Sequence, residues 1–81
     1  MFQVYILECA DKTYYIGSTS DMDRRLHEHN HAKSGAHYTK IRRPVVLRYS
    51  EPAATLGEAR KREAVLKKLT RKEKEQLFGI L

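Results

Sequence analysis

Residues 2–8, Phe-Gln-Val-Tyr-Ile-Leu-Glu, alternate in residue types that favour strands, with Phe2, Val4 and Ile6 on one side and Gln3, Tyr5 and Leu7 on the other. Ala10-Asp11-Lys12 supplies a polar turn, and Thr13-Tyr14-Tyr15-Ile16-Gly17 is a second β-prone run. The economical reading is that the chain opens with a hairpin. Tyr5 and Tyr15 then sit on adjacent strands. Whether they share a face depends on the register, which a three-residue turn leaves open.

Gly17-Ser18-Thr19 reads as the end of that second strand, and Ser20 with Asp23 three residues on resembles a capping box opening a helix from Asp21 to about Asn30. At about 100° per residue with Met22 at 0°, Leu26 falls near 40°, His29 near −20° and Arg25 near −60°, whereas Arg24 falls near 200°. Arg25 therefore borders the buried side and Arg24 faces water. Residues 31–43 are small, polar and basic around Gly35, which predicts an exposed loop or a short, poorly capped helix. Pro44 starts a third strand, Val45 to Ser50, which Glu51-Pro52 ends.

A helical pattern follows from about Thr55 to Leu69. With Leu56 at 0°, Ala59 lies near −60°, Leu66 near −80° and Glu63 near −20°, so a carboxylate falls inside the apolar stripe. Thr70 and Glu73 form another capping pair, opening a last helix that carries Leu77 and Ile80 or Leu81 inward. The expected fold is α+β, a small three-stranded antiparallel sheet flanked by helices in the order strand, strand, helix, loop, strand, helix, helix. At 81 residues this is one domain, 1–81, with room for a small core.

A net charge of +6 and a pI near 9.7 make a polyanion such as nucleic acid the first partner to consider. Both signs are interspersed with regularly spaced apolar residues, which excludes a disordered polycation. Cys9 is the single cysteine, so an intrachain disulfide framework and a Cys-based zinc knuckle are excluded, and a reducing cytosol suits the chain. No apolar run is long enough for a signal-peptide core or a membrane span, so the expectation is a soluble cytoplasmic protein.

Two charged residues depart from the rule that charges stay in water unless compensated: Glu63 in one apolar stripe and Arg25 at the edge of another. With the hairpin tyrosines they provide what phosphodiester hydrolysis requires. These are a ligand for a hard cation, a cation for the phosphate oxygens and a proton acceptor for water.

The ordered set Val4-Tyr5-Ile6, Tyr15-Ile16-Gly17 ten residues on, Arg25 eight after the glycine, His29 four later and a helical Glu63 resembles the GIY-YIG nuclease family over nearly the whole chain. The stretches Tyr15–Ser20, Arg24–Asn30, Tyr38-Thr39, Arg42-Arg43-Pro44 and Lys67-Lys68-Leu69 look most like its small stand-alone bacterial members. The resemblance implies a divalent-metal-dependent DNA endonuclease, and the leading expectation is nicking of DNA, single-stranded or branched, in repair, recombination or transformation. Tyr5 would act on the attacking water as general base, and Tyr15 would position phosphate and water. Arg25 would stabilise the pentacoordinate phosphate, His29 would assist there, and Glu63 would hold one Mg²⁺ or Mn²⁺. Gly17 matches the family glycine, where a side chain would intrude. Gln3 and Val4 replace the leading Gly-Ile of the first motif. Ser18 stands where some repair members have lysine, which implies a slow enzyme.

Gly17, Ser18, Lys33, Tyr38, Lys40, Arg42 and Arg43 are the expected substrate-binding residues. Together with Arg48, Lys67 and Lys68, the cations among them would track a phosphate backbone without choosing a sequence. The chain would work as a monomer or weak homodimer. Blander readings stand beside these. The tyrosines can serve as core residues, and Glu63 can pair with Arg60 or Lys67 along its helix. His27, His29 and His31 invite a metal site, but neighbours two apart on a helix point about 200° apart. The alternative functions are a catalytically weak nucleic-acid-binding module of the same fold, or a surface for acidic protein or RNA.

Overall fold

A computed structural model describes residues 1–31 and 37–79, with the side chain of His37 left aside. The element order is β1 (Phe2–Glu8), β2 (Tyr14–Thr19), α1 (Met22–His31), α2 (His37–Lys40), β3 (Val46–Ala53), α3 (Leu56–Lys67) and α4 (Arg71–Leu77). The strands form one antiparallel sheet in the order β2-β1-β3, which puts the first strand in the middle.

A central strand has both faces to bury, and β1 does so. Val4 and Ile6, both fully buried, pack with Ile16 under Ala59 and Leu66 of α3, with Leu77 and Phe78 joining from the C-terminal end. Tyr5, Leu7, Cys9 and Val45 form a second cluster on the opposite face, closed by Met22 and Leu26 of α1 and by Tyr38. The small chain thus has two thin cores with one strand shared between them.

The register answers the question the turn left open. Tyr5 pairs with Gly17 and Leu7 with Tyr15, so both tyrosines point to the α1 face, while Ile16 and Ser18 point to the α3 face. The expected break at Gly17-Ser18-Thr19 is corrected. Ser18 and Thr19 continue the ladder opposite Val4 and Gln3, so pairing overrides the weak strand preference of a Gly-Ser-Thr run. Glu51-Pro52 does not end β3 either. Pro52 of β3, an edge strand where proline is tolerated, pairs with Gln3. A register shift between Ile6 and Leu7 bulges β3 at Arg48, whose Nε donates to Glu8 Oε1 at 2.6 Å.

The helix starts also move. Asp21 caps α1 in place of Ser20, its Oδ1 accepting from the Arg24 amide at 3.1 Å, and α1 ends at His31. Thr55 caps α3 through the Glu58 amide. Leu56, taken as the centre of the α3 stripe, is 43% exposed, and the buried line runs through Ala59 and Leu66. The Thr70–Glu73 capping box is present as expected. Ile80, Leu81, Gly35 and Lys33 lie outside the described residues. Among those described, no helix is long and apolar enough to cross a membrane.

Candidate active site

Helices α1 and α3 cover opposite faces of the sheet, and β2 is an edge strand. Side chains from both faces can therefore meet only around its free edge, and a cleft of about 470 Å³ lies there. It is lined by Tyr5, Tyr15 and Gly17 from the α1 face of the sheet, Ile16 and Ser18 from the α3 face, Arg25 from α1, and Arg60, Glu63 and Lys67 from α3.

The reach of Tyr5 depends on its cross-strand partner. A Cβ on Gly17 would lie 2.5 Å from the Tyr5 hydroxyl oxygen and 2.8 Å from Cζ, so glycine is required here by contact and not by backbone conformation. The phenol passes over that gap and ends against His29, its hydroxyl 2.9 Å from Nε2. Nδ1 of His29 meets Thr39 Oγ1 at 2.8 Å, and both residues are fully buried. The result is a closed polar line, Tyr5–His29–Thr39, running inward from the cleft.

Burial pushes the Tyr5 phenol up to about 12, although the Arg25 guanidinium beside it pulls the other way. His29 is held down to about 4, first by burial and then by the nearby positive charge of Arg25 and Arg43. The ring is neutral at pH 7, with one nitrogen free to accept. Arg25 is braced by Glu28 on its own helix, Nη1 to Oε1 at 3.1 Å. As the helical angles predicted, Arg25 faces inward and Arg24 is exposed.

Among the described residues, Glu63 is the single carboxylate lining the cleft, beside the three cations Arg25, Arg60 and Lys67. Its Oε2 accepts from Lys67 Nζ at 3.0 Å, the intrahelical pair that the spacing allowed. The surrounding donors, one carboxylate with hydroxyls, suit a hard cation that keeps waters and shares phosphate oxygens, as Mg²⁺ does. Among the described residues no three His, Cys, Asp or Glu side chains cluster to hold a metal. His27 and His31 stack with ring centroids 4.7 Å apart but gain no further ligand.

The structure places several of the other expected site residues away from this cleft. His29 was expected at the phosphate, but it is fully buried, does not line the cleft and has both nitrogens engaged. Arg42 and Arg43 were expected on substrate and neither lines the cleft. Arg42 Nε pairs with Asp11 Oδ2 at 2.9 Å, its Nη1 donates to the Tyr38 carbonyl, and its guanidinium lies 3.9 Å over the Tyr38 ring. Arg43 donates to the carbonyls of Glu28 and His29 at the end of α1, where a cation suits the helix dipole. Lys40 is exposed and away from the cleft, and Tyr38 lies in an adjoining one. Arg60 and Lys67 take over as lining cations. Their offsets of three and four residues from Glu63 carry that signal in the sequence.

A scan of family models matches the GIY-YIG catalytic domain to residues 1–76. A UPF0213 protein of Syntrophus aciditrophicus is 55% identical over 75 residues, covering 93% of this chain and 86% of the relative. One from Halobacterium salinarum is 50% identical over 78 residues, covering 96% and 100%. Among solved structures, the solution NMR structure of the UPF0213 protein BH0048 from Bacillus halodurans is 41% identical. It superposes with a TM-score of 0.59, covering 99% of this chain and 85% of that one.

Two outcomes follow from the Tyr5–His29 geometry. Gly17→Ala is expected to displace the Tyr5 hydroxyl from His29. Denaturant unfolding should register a loss of about 1–3 kcal/mol, and the His29 ring resonances should move. The unfolded His29 ring takes up a proton near 6.5 but the folded one waits until about 4, so the stabilisation is intact above pH 6.5. It is lost progressively as pH falls from 6.5 to about 4, by an amount on the order of 3 kcal/mol, readable by denaturation across that range.

Proposed function

This chain belongs to the GIY-YIG family, and on that premise we propose that it is a divalent-metal-dependent endonuclease that hydrolyses phosphodiester bonds in DNA. The observation that carries the reading is convergence. Arg25 and Glu63 leave helices on opposite faces of the sheet and line one cleft with the Tyr5 and Tyr15 phenols, an arrangement that packing does not need. The excess of cations over carboxylate in that cleft favours an anionic substrate before any metal enters.

In the proposed mechanism Arg25, with Arg60 and Lys67, neutralises the phosphate oxygens and takes up the charge that develops at the pentacoordinate phosphorus. Tyr15 orients the phosphate and the attacking water. Glu63 holds Mg²⁺ or Mn²⁺, which when bound supplies further positive charge at the phosphate. A phenol raised to about 12 is almost never ionised at neutral pH, so Tyr5 does not wait as a phenolate. It works as a relay. As water attacks phosphorus, its proton passes to the Tyr5 oxygen while the Tyr5 hydroxyl proton passes to Nε2 of His29, which the relay requires to carry its own proton on Nδ1 toward Thr39; the P–O bond opposite the water breaks, and the departing alkoxide takes a proton from solvent. His29 and Thr39 are thus positioning residues acting through Tyr5. One such site makes one cut per engagement, so breaking both strands takes two visits or two copies.

The reading is tested by incubating supercoiled plasmid and single-stranded DNA with the parent, Glu63→Ala and Arg25→Ala, each in Mg²⁺, Mn²⁺ or EDTA. Nicking should require metal and vanish in Glu63→Ala, with DNA binding in EDTA nearly unchanged. Arg25→Ala should cut more slowly by about 10²- to 10³-fold, the usual cost of one transition-state contact. If Glu63→Ala nicks as well as the parent, the metal assignment fails. A parent that binds DNA in both metals without cutting it sinks the nuclease reading altogether.

A further inference from the structure

The cleft at the β2 edge uses one side of α1. The other side of that helix carries His27 and His31, four residues apart and both exposed, while His29 between them is fully buried. On the angular scale that puts Met22 at 0°, the two fall near 140° and 180°, each about 160° from His29. Residues four apart are neighbours on successive turns. The two rings do meet, with centroids 4.7 Å apart and planes 37° from parallel.

That separation is one a shared metal ion requires. An imidazole nitrogen binds a transition cation at about 2.0–2.1 Å and the ring centre lies roughly 1.1 Å behind the nitrogen, so each centroid stands about 3.2 Å from the ion. Two such rings at ligand angles of about 90–110° have centroids about 4.5–5.2 Å apart. The observed 4.7 Å falls inside that interval, so rotation about the side-chain torsions turns both nitrogens onto one ion. Neither imidazole has a hydrogen-bond or ion-pair partner among the described residues, so none is given up on binding. Asp23, one turn before His27 on the same ridge and exposed, offsets the charge of Arg24 beside it.

We propose that His27 and His31 form a second metal site on the outer side of α1, for a borderline transition cation such as Ni²⁺, Cu²⁺ or Zn²⁺. Imidazole suits these ions, whereas Mg²⁺ takes oxygen ligands, so this pair and Glu63 differ in the cation they select. Water fills the remaining coordination positions. Bound there, the ion joins the last two turns of the helix that carries Arg25 and His29, and so stabilises α1 without entering the cleft. The site binds and does no phosphodiester chemistry, and it stands whether or not the nuclease reading does.

The test is isothermal titration calorimetry and thermal unfolding of the chain, free of any histidine tag, with Ni²⁺, Cu²⁺, Co²⁺, Zn²⁺ and Mg²⁺. One Ni²⁺ per chain should bind and raise the unfolding midpoint, with Cu²⁺ tighter than Ni²⁺ and Co²⁺ weaker. His27→Ala and His31→Ala, both at exposed positions, should each weaken Ni²⁺ at least about tenfold and remove the stabilisation. Glu63→Ala should leave Ni²⁺ binding as it is, and neither histidine variant should alter any response to Mg²⁺. In NMR spectra, Zn²⁺ should shift the His27 and His31 ring signals together. Ni²⁺ binding that persists at parental affinity in either histidine variant overturns the proposal, because the two rings then do not share the ion. So does a parent that gains no stability from excess Ni²⁺, or a Glu63→Ala variant that loses the binding.

Discussion

The hydroxyl of Tyr5 reaches His29 only because Gly17 has no side chain, and the rest of the site is arranged around that contact. Tyr5 is on the middle strand, covered by helices on both faces, so its ring is fixed by the packing that stabilises the sheet. His29 comes from the inward line of α1, and Thr39 arrives from α2 to occupy the second imidazole nitrogen. The buried line has all its polar atoms paired, and among the described residues no buried side-chain nitrogen or oxygen lacks a partner. A polar chain so enclosed is stable only when complete, which ties α2 to the hairpin through the imidazole.

Edge-strand geometry explains why the site lies where it does. Alternation along β2 sends Tyr15 toward α1 and Ile16 and Ser18 toward α3, so the free edge of this one strand exposes chemistry from both faces. Arg25 and Glu63 approach that edge from opposite sides, each on the border of its helix's buried stripe. A border position suits a functional charge. Packing on one flank holds the side chain, and the other flank keeps it in solvent, which avoids the full cost of burying an ion.

The division of labour among the cations follows from the same architecture. The basic stretch around residues 38–43 gives its two arginines to internal contacts, Arg42 to Asp11 and the Tyr38 ring, Arg43 to the last carbonyls of α1. The cations that line the clefts come instead mostly from α3 and α4, where eight of the sixteen Lys and Arg lie between residues 60 and 74. On those helices the charges are spaced three, four and seven residues apart. Arg60 and Lys67, seven residues apart on α3, share one side of that helix, and Lys74 of α4 lines the adjoining cleft with Lys67.

Helical angle and strand alternation are local properties, and whatever depended on them was legible in the residues. Six of the seven elements, the inward turn of Arg25 against Arg24 and the Thr70 capping box all follow from neighbours within a few positions, while α2 stands where a loop or a short, poorly capped helix was expected. The relation of Tyr5 to Tyr15 was not legible, because a one-residue slip across a short turn reverses every side chain and only the two-sided burial of β1 selects the pairing. Nor was the burial of His29, which needs Tyr5 and Thr39 at sequence distances of 24 and 10. The fate of Arg42 and Arg43 was hidden for the same reason. A guanidinium's partner is set by what lies within a few ångströms, and for Arg42 that includes Asp11, 31 positions away. The sequence by itself determined which groups are present and which side of each element they occupy. Only the tertiary structure decided which of them meet, because contact between distant residues is set by how the elements pack and not by the preferences of any one of them.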